Sequence, residues 1–247
     1  MNDEAGSRPR TALVTGANKG IGLAVARGLG KLGYRVWAGA RDPVRGHAAV
    51  ARLVEEGLDA RFLRLDVENA TSVREAAKLL ASETDHLDVL VNNAGIVRGA
   101  AQPPSEQTMD DLRAVYEVNV FGPIRVTQEF LPLLKAASGA RVVMMISGLG
   151  SLTLVRDATS TYSSVNLLAY SSSKTALNAV SVAFAKELGD FGIKVNAVEP
   201  GNVATDLNGN QGSLTPEQGA VSAIRLATIG ADGPSGGFFG LEGEQPW

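Results

Sequence analysis

Between Thr11 and Gly22 the chain runs T-A-L-V-T-G-A-N-K-G-I-G. Thr11 to Thr15 is a short apolar run halted by Gly16, as in a strand buried on both faces of a parallel sheet. Beyond the glycines, Ile21, Val25, Leu29 and Leu32 recur at helical spacing and fall on one face. A strand, a glycine-rich turn and a helix in that order open a nucleotide-binding βαβ unit. The glycines follow G-x-x-x-G-x-G and not the common G-x-G-x-x-G, but the physics is the same. Glycine lets the backbone turn tightly and approach a pyrophosphate, and the free N–H groups and positive end of the helix face the phosphates. Glycines also serve plain turns, so the rest of the chain has to supply the context.

Outward from this turn the pattern repeats. Apolar runs at Tyr34–Ala40, Ala60–Leu65, Leu87–Val91, Arg141–Ile146 and Ile193–Val198 predict strands, with an edge strand at Phe238 and Phe239. Between them, Ala48–Glu56, Thr71–Glu83, Met109–Ala136, Leu168–Leu188 and Pro216–Thr228 read as helices. Pro123 and Pro132 should mark irregularities or ends inside the longest of these. Strands alternating with helices predict an α/β fold: a single-domain, Rossmann-type, doubly wound parallel sheet of about seven strands with helices on both faces. The domain is expected over 10–247, preceded by a flexible N-terminal tail over 1–9.

Composition narrows the function classes. The chain has 247 residues, 45% of them hydrophobic, enough for one large core. With a net charge of −3 and no long Lys/Arg run, neither nucleic acid nor an anionic membrane is an expected partner. There is no cysteine, so disulfides, thiolate nucleophiles and cysteine metal sites are excluded. The two histidines, His47 and His86, lie far apart and are expected as solvated helix or loop residues, so no metal site and no histidine-centred triad is expected. Met1–Arg10 lacks the apolar core of a signal peptide, and no stretch approaches the ~20 apolar residues of a membrane span, which predicts a cytoplasmic protein.

Two further places carry chemistry. NAD sites usually end the second strand on an acid that takes the ribose 2′-OH. Here the segment is A-G-A-R-D, with Ala40 in that place and Arg41 next to it. With Lys19 in the glycine turn, two cations suit a 2′-phosphate, favouring NADPH/NADP+ over NADH. Ordinary surface charge is the plain alternative, and Asp42 could instead pair with Arg41 or accept from a ribose. The second place is Y-S-S-S-K, which puts Tyr170 and Lys174 on one helical face. An ammonium beside a phenol stabilises phenolate, making Tyr170 a candidate general acid or base. The same spacing arises by chance in many amphipathic helices.

In chain order, T-G-A-N-K-G-I-G at Thr15, A-R-D at Ala40, L-D-V at Leu65, N-N-A-G at Asn92, V-N-V-F-G at Val118, Ser147, Y-S-S-S-K at Tyr170 and E-P-G-N-V-A-T-D at Glu199 resemble the motifs of the short-chain dehydrogenase/reductase superfamily. The likeness is to its compact type, close to the NADPH-dependent carbonyl reductase branch, and covers about residues 10–241. It implies that Asn119, Ser147, Tyr170 and Lys174 are catalytic. Ser147 would bind the substrate carbonyl, Tyr170 would donate a proton to it, Lys174 would lower the tyrosine pKa and hold the nicotinamide ribose, and Asn119 would position a water leading to solvent. The resemblance also implies a cofactor site. Gly16, Asn18, Lys19, Gly20 and Ile21 would lie along the phosphates or ribose, and Arg41 at the 2′-phosphate. Asp66 and Val67 would flank the adenine, Asn93, Ala94 and Gly95 the ribose, and Pro200, Gly201, Val203 and Thr205 the nicotinamide. Each has a plain alternative as a cap or turn residue.

Three features depart from the family pattern. Ile146 stands where relatives often have a second serine, so the Ser147 register depends on R-V-V preceding it; shifted by one, Gly148 would take its place. The segment from Ser147 to Tyr170 is longer than in many compact relatives; its extra part, Thr153–Leu167, is expected to wall the substrate pocket. Glu199 before Pro200 could favour a polar or cationic substrate or point into solvent, the second being preferred. The function expected is NADPH-dependent reduction of an aldehyde or ketone. An alcohol dehydrogenase working oxidatively and a non-catalytic dinucleotide-sensing protein are the alternatives. The partner expected is a small carbonyl or alcohol compound, and assembly as a homodimer or homotetramer is compatible with the long helices.

Overall fold

The computed structural model describes residues 8–247. The strands are β1 (Thr11–Thr15), β2 (Arg35–Ala40), β3 (Ala60–Arg64), β4 (Val89–Asn92), β5 (Arg141–Met145), β6 (Lys194–Val198), β7 (Phe238–Gly240) and β8 (Gly243–Glu244). They form one sheet in the order β3-β2-β1-β4-β5-β6-β7-β8. Every neighbouring pair is parallel except β7 and β8. The eight strands exceed the expected seven by β8, a two-residue antiparallel return too short to leave a periodic signature. Strand order reverses direction between β1 and β4, which opens the crevice where open α/β sheets bind ligands.

The helices are α1 (Gly20–Lys31), α2 (Pro43–Glu55), α3 (Ala70–Glu83), α4 (Met109–Tyr116), α5 (Gly122–Ala136), α6 (Leu152–Arg156), α7 (Leu168–Leu188) and α8 (Pro216–Ala227). Side chains alternate across the strands, and each face meets its own helical layer. Leu13, Leu90, Val142 and Met144 pack with Val126, Phe130, Leu177 and Phe184 of α5 and α7. Val14, Val91, Val143 and Met145 pack with Val25, Leu29, Ala223 and Leu226 of α1 and α8. Each fully buried large apolar side chain contributes about 1.5–3 kcal/mol, so this double burial fixes strand register.

The helix expected over Met109–Ala136 is continuous but changes pitch. Glu117–Phe121 forms one π-helical turn between α4 and α5, immediately before Pro123. Such turns concentrate at functional sites, and this one carries Asn119. Pro132 lies inside α5 without ending it.

The expected tail falls largely on residues 1–7, which lie outside the described residues. Arg8 and Pro9 are tied to the domain through Asp85, at 3.3 Å, and His86 Nε2, at 3.1 Å from the Pro9 carbonyl oxygen. His86 thereby departs from the solvated role expected of it: it is buried between β4 and the entry to β1, with Nδ1 2.7 Å from Asp85. His47 is exposed as expected. No helix among the described residues is long and apolar enough to cross a membrane.

Candidate active site

The glycine turn lies at the carboxyl end of β1, on the crevice. Gly16 and Gly20 have φ of +66° and +54°, which only glycine adopts without strain. No side chain caps α1, so its first-turn N–H groups stay open to a ligand. Thr205 arches over this end: a Cβ on Gly20 would come 3.5 Å from the Thr205 methyl. Val203 is buried beside it, and Pro200 and Gly201 lead the chain there from β6, with Gly201 at φ +80°. The loop from Pro200 to Thr205 and the glycine turn therefore face each other across one gap, while Ile21 is half-buried at its floor.

Asn93, Ala94 and Gly95 follow β4 on the other side of the crevice. The Asn93 amide donates to Thr15 O at 2.8 Å and to Gly16 O at 3.3 Å, so its side chain braces the glycine turn and does not reach outward. The Ala94 N–H donates to Thr15 Oγ1 at 3.0 Å. Asp66 accepts from the Glu68 N–H, and Val67 is buried beside Gly122.

Each of the two cations read as a 2′-phosphate pair meets a carboxylate. Lys19 pairs with Asp206 and lines a cleft of about 300 Å³ with Asn18, Arg45 and Arg52. Arg41 pairs with Glu68 at 3.3 Å and lines a separate cleft of about 160 Å³ with Arg64 and Asp66. Each is drawn to the nearest carboxylate, and Asp206 is distant in sequence. Arg45 and Arg52 escaped the sequence reading, although both are cations on α2 just beyond Arg41. Asp42 does not pair with Arg41. It caps α2, accepting from Val44 N at 2.9 Å and Arg45 N at 3.2 Å.

The catalytic candidates converge beyond β5. Ser147 follows that strand and caps the turn Gly148–Gly150, accepting from Leu149 N at 3.2 Å. Tyr170 is buried in the first turn of α7, and burial pushes its phenol up to about 12; the nearby Ser147 hydroxyl opposes that and the Glu199 charge adds to it. Lys174 lies one turn on, its Nζ 5.5 Å from the Tyr170 ring centre and donating to Met145 O at 2.8 Å. In this arrangement the ammonium serves a carbonyl, and the phenol is not lowered as the sequence suggested. Burial pushes Lys174 down to about 8.

Asn119 is fully buried in the π turn. Its amide donates to Ile96 O and to Ser173 Oγ, both at 3.0 Å, and Oδ1 accepts from Ile96 N at 2.9 Å. A Cβ on Gly95 would lie 3.4 Å from Asn119 Oδ1 and 3.6 Å from Lys174 Nζ, so the bare glycine leaves room between these two groups.

The buried lysine has a measurable consequence. Folded Lys174 sheds its proton at about 8 and the unfolded residue at 10.5, so the folded state binds fewer protons between these values. Stability then rises with pH across that window. The stability of the protein relative to its Lys174→Met variant should therefore grow from pH 8 to pH 10.5 in denaturant titrations. A difference that stays flat over that range would contradict the burial of a titrating lysine.

Glu199 does not point into solvent. Its Oε2 accepts from Tyr162 Oη at 2.8 Å and from Gly148 N at 3.1 Å. Tyr162 belongs to the extra segment, which opens with α6 and continues through turns to α7. The sequence offered no signal for this partner, a single aromatic residue among serines and threonines.

The short chain dehydrogenase family model matches residues 10–214. A short-chain dehydrogenase of Penicillium roqueforti, anuI, is 37% identical, with 89% of this chain and 88% of that protein covered. Carbonyl reductase (NADPH) 1 of Rattus norvegicus is 34% identical, with 96% and 98% covered. Among solved structures, the NADPH-bound carbonyl reductase from chicken fatty liver superposes with a TM-score of 0.85 at 30% identity, covering 97% of this chain and all of that one. With the glycine turn, the sheet order and this breadth of similarity in agreement, the chain belongs to the short-chain dehydrogenase/reductase family, in its carbonyl reductase branch.

Proposed function

We propose that this protein reduces an aldehyde or ketone to an alcohol with NADPH, Tyr170 acting as general acid. The observation that carries the proposal is the buried Tyr170, with Lys174 Nζ 5.5 Å from its ring centre and Ser147 bearing on its phenol, at the carboxyl ends of the central strands. With its pKa pushed up to about 12, Tyr170 is protonated at neutral pH, the state in which it can donate.

The residues present fit a dinucleotide. Gly16 and Gly20 leave a bare backbone cradle, the open N-terminus of α1 faces it, and Thr205 covers it. NADPH, when bound, supplies the hydride. The chain's own residues do the rest. The first turn of α1 and the glycine turn hold phosphates, and the Pro200–Thr205 loop orients the ring end. Ser147 donates to the substrate carbonyl oxygen as negative charge develops there. Tyr170 Oη then passes its proton to that oxygen. Lys174 Nζ and Asn119 Oδ1, on either side of the space at Gly95, offer a route by which the phenol recovers a proton from solvent. Carbonyl reductase (NADPH) 1 and the NADPH-bound chicken enzyme support NADPH as the cofactor.

The pairs Lys19–Asp206 and Arg41–Glu68 are exposed, with Lys19 53% and Arg41 68% accessible. Exposed pairs of this kind are worth about 0–1 kcal/mol, so either cation exchanges its carboxylate for a phosphate at little cost. Arg41→Ala should weaken NADPH binding by about 10- to 100-fold, the value of charge-assisted hydrogen bonds, and leave NADH nearly unchanged. Fluorescence titration with both cofactors measures this. Equal use of both cofactors before and after the change would refute the role of Arg41. The reaction itself is tested by following NADPH consumption over a panel of aldehydes and ketones. A protein that binds NADPH yet consumes none with any of them would instead fit the dinucleotide-sensing reading.

A further inference from the structure

Glu199 joins three parts of the site that are far apart in sequence. It ends the run out of β6 and opens the Pro200–Thr205 loop. Its Oε2 takes the Gly148 N–H, beside the serine that meets Tyr170. The same oxygen takes the Tyr162 hydroxyl from the extra segment. The Tyr162 ring lies flat on the turn: a Cβ on Gly148 would come 2.3 Å from its Cζ and 2.6 Å from its Oη. Tyr162 is half-buried, while Thr161, Ser163 and Ser164 around it are exposed. Segment 157–167 thus reaches the catalytic turn through this one anchored aromatic side chain.

We propose that Glu199 is a positioning residue: it holds Tyr162, and with it segment 157–167, down on the Ser147–Gly148 turn, so setting how bulky a carbonyl compound reaches Tyr170. The size-selection part rests on the reductase reading above; the latch itself does not. Burial and the Glu199 charge both push the Tyr162 phenol up, which keeps it protonated and donating.

Two variants separate the latch from the charge. Tyr162→Phe keeps the ring and the carboxylate but breaks the hydroxyl contact. Amide exchange across segment 157–167 should accelerate by about tenfold or more, as a local opening becomes easier. The ratio of KM for a bulky aryl ketone to KM for a small aldehyde should shift, with kcat for the small aldehyde less affected. Glu199→Gln keeps an oxygen that accepts from Tyr162 and Gly148 but removes the charge. Exchange in the segment should stay near that of the parent protein.

Unchanged exchange in Tyr162→Phe overturns the latch, and exchange in Glu199→Gln as fast as in Tyr162→Phe overturns the oxygen acceptor as its basis. The exchange measurement needs no turnover. Faster exchange in Tyr162→Phe of a protein that reduces no carbonyl would support the latch and count against the reductase reading alone.

Discussion

Tyr170→Phe is expected to lower kcat/KM for carbonyl reduction by about 10²–10⁴-fold, the span that a positioned general acid contributes. The change removes one oxygen and leaves the ring, so the packing of α7 against the sheet is preserved. Tyr170 is 8% exposed. The neighbouring Ser147 accepts from Leu149 N at 3.2 Å and holds its place as a cap without the phenol. NADPH affinity should therefore stay within a few-fold of the parent value. The two readouts are absorbance decay with substrate and fluorescence titration without it. Retention of more than about a tenth of the parent rate would remove Tyr170 from the role of proton donor. Parallel loss of rate and NADPH binding would mean that the variant had damaged the site instead of the chemistry.

The parts of this site that could be read from the sequence are those whose geometry is local. The glycine turn needs Gly16 and Gly20 at positive φ within a few residues of each other, and that spacing is visible. Tyr170 and Lys174 share a helical face because they are one turn apart. Ser147 was legible from its distance to the preceding strand residues. What the sequence hid depends on contacts across the fold. Glu199 looked solvent-facing because its partners, Gly148 and Tyr162, come from another strand end and from an irregular segment. Nothing in the sequence near Lys19 and Arg41 pointed to their carboxylate partners Asp206 and Glu68. The hydrogen bonds by which the Asn93 amide braces the glycine turn also depend on the fold. His86 looked solvated, since nothing in its neighbours predicts burial against Pro9 and Asp88.

The bracing by Asn93 makes Gly22 the position where one methyl group should do most damage to cofactor binding. Gly22 needs no left-handed backbone; its requirement is space. A Cβ there would lie 2.4 Å from Asn93 Nδ2 and 2.5 Å from Gly16 O. Asn93 cannot swing away freely, because Nδ2 is committed to Thr15 O and Gly16 O. Gly16 O is backbone, and moving it opens the turn itself. Overpacking of this kind costs about 1–3 kcal/mol. In a domain of this size each kcal/mol lowers Tm by about 2–4 °C. Gly22→Ala should therefore melt several degrees lower, and, with the phosphate-facing turn displaced, bind NADPH more than about tenfold more weakly, a loss of roughly 1.4 kcal/mol. Gly33→Ala supplies the contrast. Gly33 sits at φ +82° with nothing within 4 Å of its would-be Cβ, so alanine there meets backbone strain without a clash. That strain is of order 1–3 kcal/mol and lies at the far end of α1 from the turn, so Gly33→Ala should lower Tm and leave NADPH affinity alone. If both variants lost stability but Gly22→Ala bound NADPH as tightly as Gly33→Ala, the turn would not be the cofactor cradle, and the glycines would be serving the chain's geometry only.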